Sequence, residues 1–338
     1  MQNNDASVKI DGSYGEGGGQ ILRTAVALSA VTGKPVEIDN IRKTRPKPGL
    51  APQHVKAVKG AASICNAEVK GCDLHSTHLN FRPGRIKGGM YDIDIGTAGS
   101  ISLLLQCLMP AACHAQGTIK LKITGGTDVS WSPSIDYLRF VTLFALSRMG
   151  YDCELELVRR GYYPRGGGCV EAVINPSVLG KMSFDRNTCE IVKGISHSSG
   201  LPGHVTERQA ASAEKILQAE GYRTEILREV NNYPSIGSGI TLWCGTIGAG
   251  ALGERGLRAE KVGSSAASAM ISELKAGAGV DIYLADQLVP FIALAGNGSF
   301  TTRLITPHTR TNIWVTEEFL DLKFKIEELE TGLFKVSV

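Results

Sequence analysis

The stretch QILRTAVALSAVTGKPVEIDNI, residues 20–41, carries the pattern that decides the fold. An apolar helix over 20–32 runs into Gly33-Lys34, and β-branched residues then favour a strand over 36–41. A polar loop through Arg45 and Pro48 enters a second helix over 51–65, with Val55, Val58, Ala62 and Cys65 on one face. The same order recurs as a helix over 100–115, Gly117, a strand over 118–124, a loop over 125–132 and a helix over 134–149. It recurs again as a helix over 281–295, Gly298, a strand over 300–305, a loop over 306–310 and a helix from about Thr311. Helices and strands alternating at this spacing predict α/β layers.

The turn glycines test the repeat. Gly33 and Gly117 lie 84 residues apart, whereas Gly117 and Gly298 lie 181 apart, an excess of 97. That excess has the size of a small domain. It predicts an α/β domain over 185–279 inserted before the third repeat, and a main domain of 1–184 and 280–338. Inside the insertion, strands are expected over 190–195 and 238–243, and a helix over 206–218 capped by Thr206.

The chain has 338 residues and is 43% hydrophobic, which supports a sizeable core and argues against disorder. A net charge of +3 is too small to indicate nucleic-acid binding, so local clustering has to decide that question. Eight scattered cysteines without a C-x-x-C predict reduced thiols in the cytoplasm rather than a disulfide framework. The polar, glycine-rich start predicts no signal peptide, and no apolar run reaches the ~18 residues of a membrane span.

Three clusters carry chemistry. In DGSYGEGGGQ, residues 11–20, Gly15, Gly17, Gly18 and Gly19 surround Glu16 just before the first helix. Such glycines bring backbone N–H groups to an anion at a helix N-terminus, and the carboxylate suits Mg²⁺ bridging phosphates. Residues 41–66 contain no acid but hold Arg42, Lys43, Arg45, Lys47, Lys56 and Lys59, stiffened by Pro46, Pro48 and Pro52. This run is a solvated face or, with Arg23 one turn past the glycines, a cradle for polyphosphate or a nucleic-acid end. His308, in TPHTRTN after the third strand, is expected in a strand-to-helix loop, where a neutral imidazole can act as base, ligand or nucleophile. RGYYPRGGG, residues 160–168, reads from physics alone as a structural turn. The G-x-G-x-x-G at 248–253 lacks a following apolar helix and reads as a β-turn.

Taken together, GEGGGQILR (15–23), RPKPGL (45–50), RGYYPRGGG (160–168), YLADQL (283–288) and the His308 segment resemble the RNA 3′-terminal phosphate cyclases. These motifs span nearly the whole chain. The resemblance implies a large domain of three α/β repeats like the C-terminal domain of translation initiation factor 3, with a smaller domain inserted before the third. It implies ATP-dependent conversion of an RNA 3′-phosphate into a 2′,3′-cyclic phosphate, with His308 as the nucleophile that takes AMP. Glu16 and Gln20 would lie at the ATP phosphates and at a divalent metal, Mg²⁺ or Mn²⁺. Tyr283 and Pro133 would sandwich the adenine, Pro133 by way of aligning Gly125-Gly126-Thr127-Asp128, with Asp286 and Gln287 near the nucleotide. Arg23, Arg42, Arg45, Gln53 and His54 would line the path of the RNA terminal phosphate and the polyphosphate.

The expected partner is RNA ending in a 3′-phosphate, with no membrane involved and a homo-oligomer left open. Two competing readings share related folds. One is a non-catalytic RNA-binding scaffold of ribosome assembly, which has no use for His308. The other is an enolpyruvyl transferase, which works without ATP.

Overall fold

The structure, a computed structural model, describes residues 7–338. Its first unit runs β1 (Val8–Asp11), α1 (Gly19–Thr32), β2 (Val36–Asp39), α2 (Pro52–Cys65), β3 (Glu68–Lys70) and β4 (Leu79–Arg82). The second runs β5 (Gly89–Asp94), α3 (Ile101–Ala112), β6 (Ile119–Gly125), α4 (Ile135–Tyr137), a π-helical turn (Leu138–Thr142), α5 (Leu143–Arg148), β7 (Cys153–Arg159) and β8 (Gly168–Ile174). Then β9 (Met182–Phe184) is followed by β10 (Ile191–Ser199), α6 (His204–Ala219), β11 (Arg223–Asn231), β12 (Gly237–Cys244), β13 (Ile247–Leu252) and α7 (Ala259–Ala276). The chain ends with α8 (Ile282–Leu294), β14 (Gly298–Thr302), α9 (Pro307–Phe319), β15 (Lys325–Glu328) and β16 (Phe334–Ser337).

The architecture is mixed α/β, and three of its four-stranded sheets share one topology: β1-β2-β4-β3, β5-β6-β8-β7 and β9-β14-β16-β15. In each, the first two strands are parallel and the remaining pairs antiparallel. Because β9 pairs with β14, the third sheet takes its first strand from before residue 185 and its other strands from after residue 279. A three-residue strand has no periodicity to read, which is why the repeat looked as if it began at its helix.

Helix ends follow local chemistry. α1 stops where Gly33 adopts φ 72°, its N–H returning to the Ser29 carbonyl. Ser100 and Asp281 cap α3 and α8 through side-chain oxygens. α9 starts four residues earlier than expected, because Thr306 accepts from the Thr309 N–H and Pro307 fits the first helical position. α6 is entered at Gly203, and Thr206 instead donates its hydroxyl back to the Gly203 carbonyl. The 248–253 glycines lie largely in β13, so the β-turn reading gives way to a strand. Apolar faces of α1 (Ile21, Leu22, Val26), α3 and α8 pack against α2 and α9 in one core. The sheet β11-β10-β12-β13 with α6 and α7 buries a separate one around Val192, Leu217, Leu242 and Met270.

The cysteine reading needs one correction. Cys189 and Cys244 form a disulfide with a Cα–Cα distance of 5.4 Å. Asn187 donates to the Cys244 carbonyl at 2.9 Å, which brings two segments together that sequence spacing could not connect. The other six cysteines are free.

Candidate active site

Two helix N-termini meet at one place. Gln20, in the first turn of α1, donates its side-chain amide to the His308 carbonyl in the first turn of α9 at 3.0 Å, and to the Asp286 carboxylate at 3.1 Å. α1 has no side-chain cap, and neither helix carries an acid in its first turn. Two positive dipole ends are thus aimed at one spot, an arrangement that favours an anion between them.

The glycine loop closes over α9. Tyr14 stacks on Trp314 with centroids 4.0 Å apart, and Gly15 lies against Thr311. This brings Glu16 to His308, whose Nε2 is 3.6 Å from the carboxylate, while Arg45 stands 3.8 Å away on the same oxygen. His308 and Glu16 are 51% and 43% exposed at their side chains, so ring and carboxylate are open to a ligand. Burial lowers the His308 pKa, Glu16 opposes this, and Arg23 and Arg45 lower it further, so the imidazole is neutral at pH 7.

The other expected residues fall around this pair. Half-buried Arg23 lines a small cavity with Gln20, Asp286 and Gln287. Burial pushes the Asp286 carboxyl up to about 7, against the pull of Arg23. His54 accepts from the Ala51 N–H through Nδ1, so the proton sits on Nε2, which faces Gly19 closely enough that any Cβ there would collide with the ring. Burial, then Arg23 and Arg42, take the His54 pKa down to about 3. Arg42, at φ 53°, donates to the Gly49 carbonyl at 2.8 Å.

Gln53 faces elsewhere, accepting from the Ser100 N–H at 3.3 Å. Gln287 accepts from Thr142 and donates to the Tyr283 carbonyl. Tyr283 is 59% exposed, and the Pro133 carbonyl is held by Ser102. The segments of these last two are linked through the Tyr137 hydroxyl, which donates to Asp281, the cap of α8.

Sequence reasoning missed Thr24 and Asn312. The Thr24 hydroxyl donates to Asn312 at 2.7 Å, and Asn312 donates to the Asp286 carbonyl at 2.8 Å, tying α1, α8 and α9 together. Asn312 lies four residues after His308, hence on the same helix face, a relation visible only once α9 is known to start at Pro307. A cleft of about 810 Å³ beside Phe140, Trp243 and Lys193 contains none of these residues.

A second polar cluster is buried except at Glu229. Arg160, 1% exposed, pairs with Asp128 at 3.3 Å, Asp136 at 2.8 Å and Glu229 at 2.8 Å. His197 Nε2 faces an Asp128 oxygen at 3.3 Å without a hydrogen bond, and its Nδ1 lies 2.8 Å from the Tyr162 hydroxyl. Asp128, Asp136 and His197 are close enough to hold a metal ion, but the Arg160 guanidinium already supplies the cation at their centre. Among the described residues, no helix is long and apolar enough to cross a membrane.

Comparison with known proteins agrees along the whole chain. Residues 14–326 match the family model described as RNA 3′-terminal phosphate cyclase. The chain belongs to the RNA 3′-terminal phosphate cyclase family. Proteins named RNA 3′-terminal phosphate cyclase from Methanococcoides burtonii and Methanosarcina barkeri are 56% and 58% identical, each over 98% of this chain and 99% of their own. One from Pyrococcus furiosus is 49% identical over 94% of both chains. Among solved structures, the enolpyruvyl transferase NikO from Streptomyces tendae gives a TM-score of 0.30 at 12% identity, over 48% of this chain and 32% of its own, and carries no argument.

Proposed function

We propose that the chain converts an RNA 3′-terminal phosphate into a 2′,3′-cyclic phosphate, consuming ATP through a covalent AMP on His308. The observation that carries this reading is a neutral, half-exposed imidazole with Glu16 and Arg45 at the meeting point of two helix N-termini. A phosphate monoester resists attack by its own 2′-hydroxyl because oxide is a poor leaving group. In the first step His308 Nε2 attacks the α-phosphorus of ATP, forming an N–P bond as the bond to pyrophosphate breaks. An oxygen of the RNA 3′-phosphate then attacks the same phosphorus and releases His308, leaving a mixed anhydride with AMP. The 2′-hydroxyl finally attacks the RNA phosphorus, loses its proton, and AMP departs.

Arg23, Arg42 and Arg45 are the cations for charge developing on phosphoryl oxygens. Glu16 fits a divalent cation, Mg²⁺ or Mn²⁺: it is exposed, and both its contacts exceed hydrogen-bond length, so its oxygens remain available. Such an ion would neutralise charge on the ATP phosphates. Tyr283 and Pro133 are assigned to the adenine, Asp286 and Gln287 to the nucleotide, and Gln53 and His54 to the RNA end.

On the same reading, residues 185–279 are an inserted domain on a main domain of 1–184 and 280–338, and the enzyme works in the cytoplasm. Incubation with α-³²P-ATP should give an acid-labile, base-stable adduct, and 3′-phosphorylated RNA should become phosphatase-resistant with release of AMP. Absence of both would leave the non-catalytic scaffold as the better account.

A further inference from the structure

The reaction proposed above uses no residue of RGYYPRGGG, whose buried Arg160 serves the fold. The loop pairs a rigid base with an exposed tip. Its base is bolted down: Thr127 and Asp128 donate to the Gly161 carbonyl, Tyr162 exchanges hydrogen bonds with Ser235, and Gly166 returns to the Tyr162 carbonyl at 2.7 Å. Gly166, at φ 65°, packs so closely on the turn at Thr97 and Ala98 that a Cβ would lie 2.8 Å from the Ala98 Cα. The same turn continues through Gly99, which lies against Gln53. The tip, Tyr163-Pro164-Arg165, is exposed, with Tyr163 at 76%.

Beside it, the segment that bridges Tyr162 at Asp128 turns back on itself and presents Trp131, 99% exposed, two residues before Pro133. Trp131 is held at φ 65°, a conformation that bulky residues rarely adopt. Arg165 donates to the Pro234 carbonyl at 2.9 Å and has no carboxylate partner among the described residues. Exposed aromatic faces beside an unpaired guanidinium are the surface on which single-stranded bases stack and a backbone phosphate is neutralised. Gly166 and Gly99 bring the base of this loop against the backbone side of Gln53, one of the residues assigned to the RNA end.

We infer that Trp131, Tyr163 and Arg165 form a platform for the nucleotides just 5′ of the RNA's terminal phosphate. This rests on the RNA-end reading above. The platform sets affinity for the strand and takes no part in bond making.

The test compares Trp131→Ala, Tyr163→Ala and Arg165→Ala with wild type on a ten-nucleotide RNA 3′-phosphate and on a nucleoside 3′-phosphate too short to reach the platform. Each aromatic variant should raise KM for the long strand roughly ten-fold, the scale of one base–aromatic stack, and leave KM for the short substrate in place. Trp243 and Trp314 are already stacked on Phe140 and Tyr14, so quenching of tryptophan emission by the strand, without ATP, should disappear in Trp131→Phe. Equal shifts for long and short substrates, a rise in KM for ATP instead, or quenching that survives Trp131→Phe would each overturn the platform. Wild-type labelling by α-³²P-ATP keeps the two ideas apart: labelling with unaltered KM values defeats only the platform, whereas no labelling defeats the reading beneath it.

Discussion

Two histidines of this chain are held neutral by burial, and they illustrate opposite uses of that state. His197 is wholly buried, both ring nitrogens face partners, and burial followed by Arg160 takes its pKa down to about 3. His308 is lowered by the same cause, but half its ring is open and its nearest charged neighbour is 3.6 Å away, beyond hydrogen-bond length. The first is walled in by the fold, with Nδ1 bonded to Tyr162 and Nε2 shut against Asp128. The second keeps Nε2 uncommitted, which is what a nucleophile requires. A depressed pKa therefore does not single out a candidate nucleophile; access to the ring does.

His308→Ala should separate the two most sharply. Label transfer from α-³²P-ATP should fall at least about a thousand-fold, since no neighbour can replace a lost nucleophile, while the melting temperature stays near that of wild type. Retained labelling would end the covalent mechanism. His197→Ala should do the reverse. It strands the Tyr162 hydroxyl, and an unsatisfied buried group costs about 1–3 kcal/mol. Denaturant titration should show that loss, with labelling preserved in the folded fraction. A stable His197→Ala protein that no longer labels would move His197 into the active site.

Glu16→Ala tests the open side of the same contrast. With its carboxylate gone, the site should label more slowly, by roughly a hundred-fold as for loss of one electrostatic stabiliser, and excess Mg²⁺ should recover part of the rate. Equal labelling across a magnesium titration would make Glu16 a structural residue of the glycine loop.

What the sequence disclosed follows from range. The repeats were legible because helices such as α1 and α3 are long, apolar and bounded by glycine or a capping side chain. β9, three residues long, was not, and its pairing with β14 left no trace in the sequence. Glu16 and His308 were legible as residue types in telling local settings. Their meeting depends on Gln20 reaching a carbonyl 288 positions away and on Tyr14 stacking on Trp314, neither of which leaves a periodic trace. Arg160 lay inside a motif that read as a turn, because its carboxylates come from the loop after β6, from α4 and from β11.

The smallest expected effect is in pH, where the two histidines should diverge in what they control. The folded pKa of His197 is about 3, below the ordinary value of 6.5 that it has when unfolded. Between these values the unfolded chain binds a proton that the folded chain does not. The stability His197 contributes is therefore present above pH 6.5 and lost as pH falls toward 3, by at most about 1.4 kcal/mol per pH unit. Asp281 and Asp286 act in the opposite sense. Burial raises both to about 7, so what they contribute is present at low pH and lost as pH rises from 3.8 through 7. Whole-protein stability mixes these signs, but the difference between wild type and His197→Gln cancels the carboxyl part. That lead, measured by urea titration, should be constant from pH 8 to 6.5 and shrink below. A lead that grows on acidification would mean that His197 is protonated in the folded protein. Across the same range, labelling per folded molecule should hold down to pH 6.5 and decline only beneath it, because the lowered pKa of His308 keeps Nε2 free to attack.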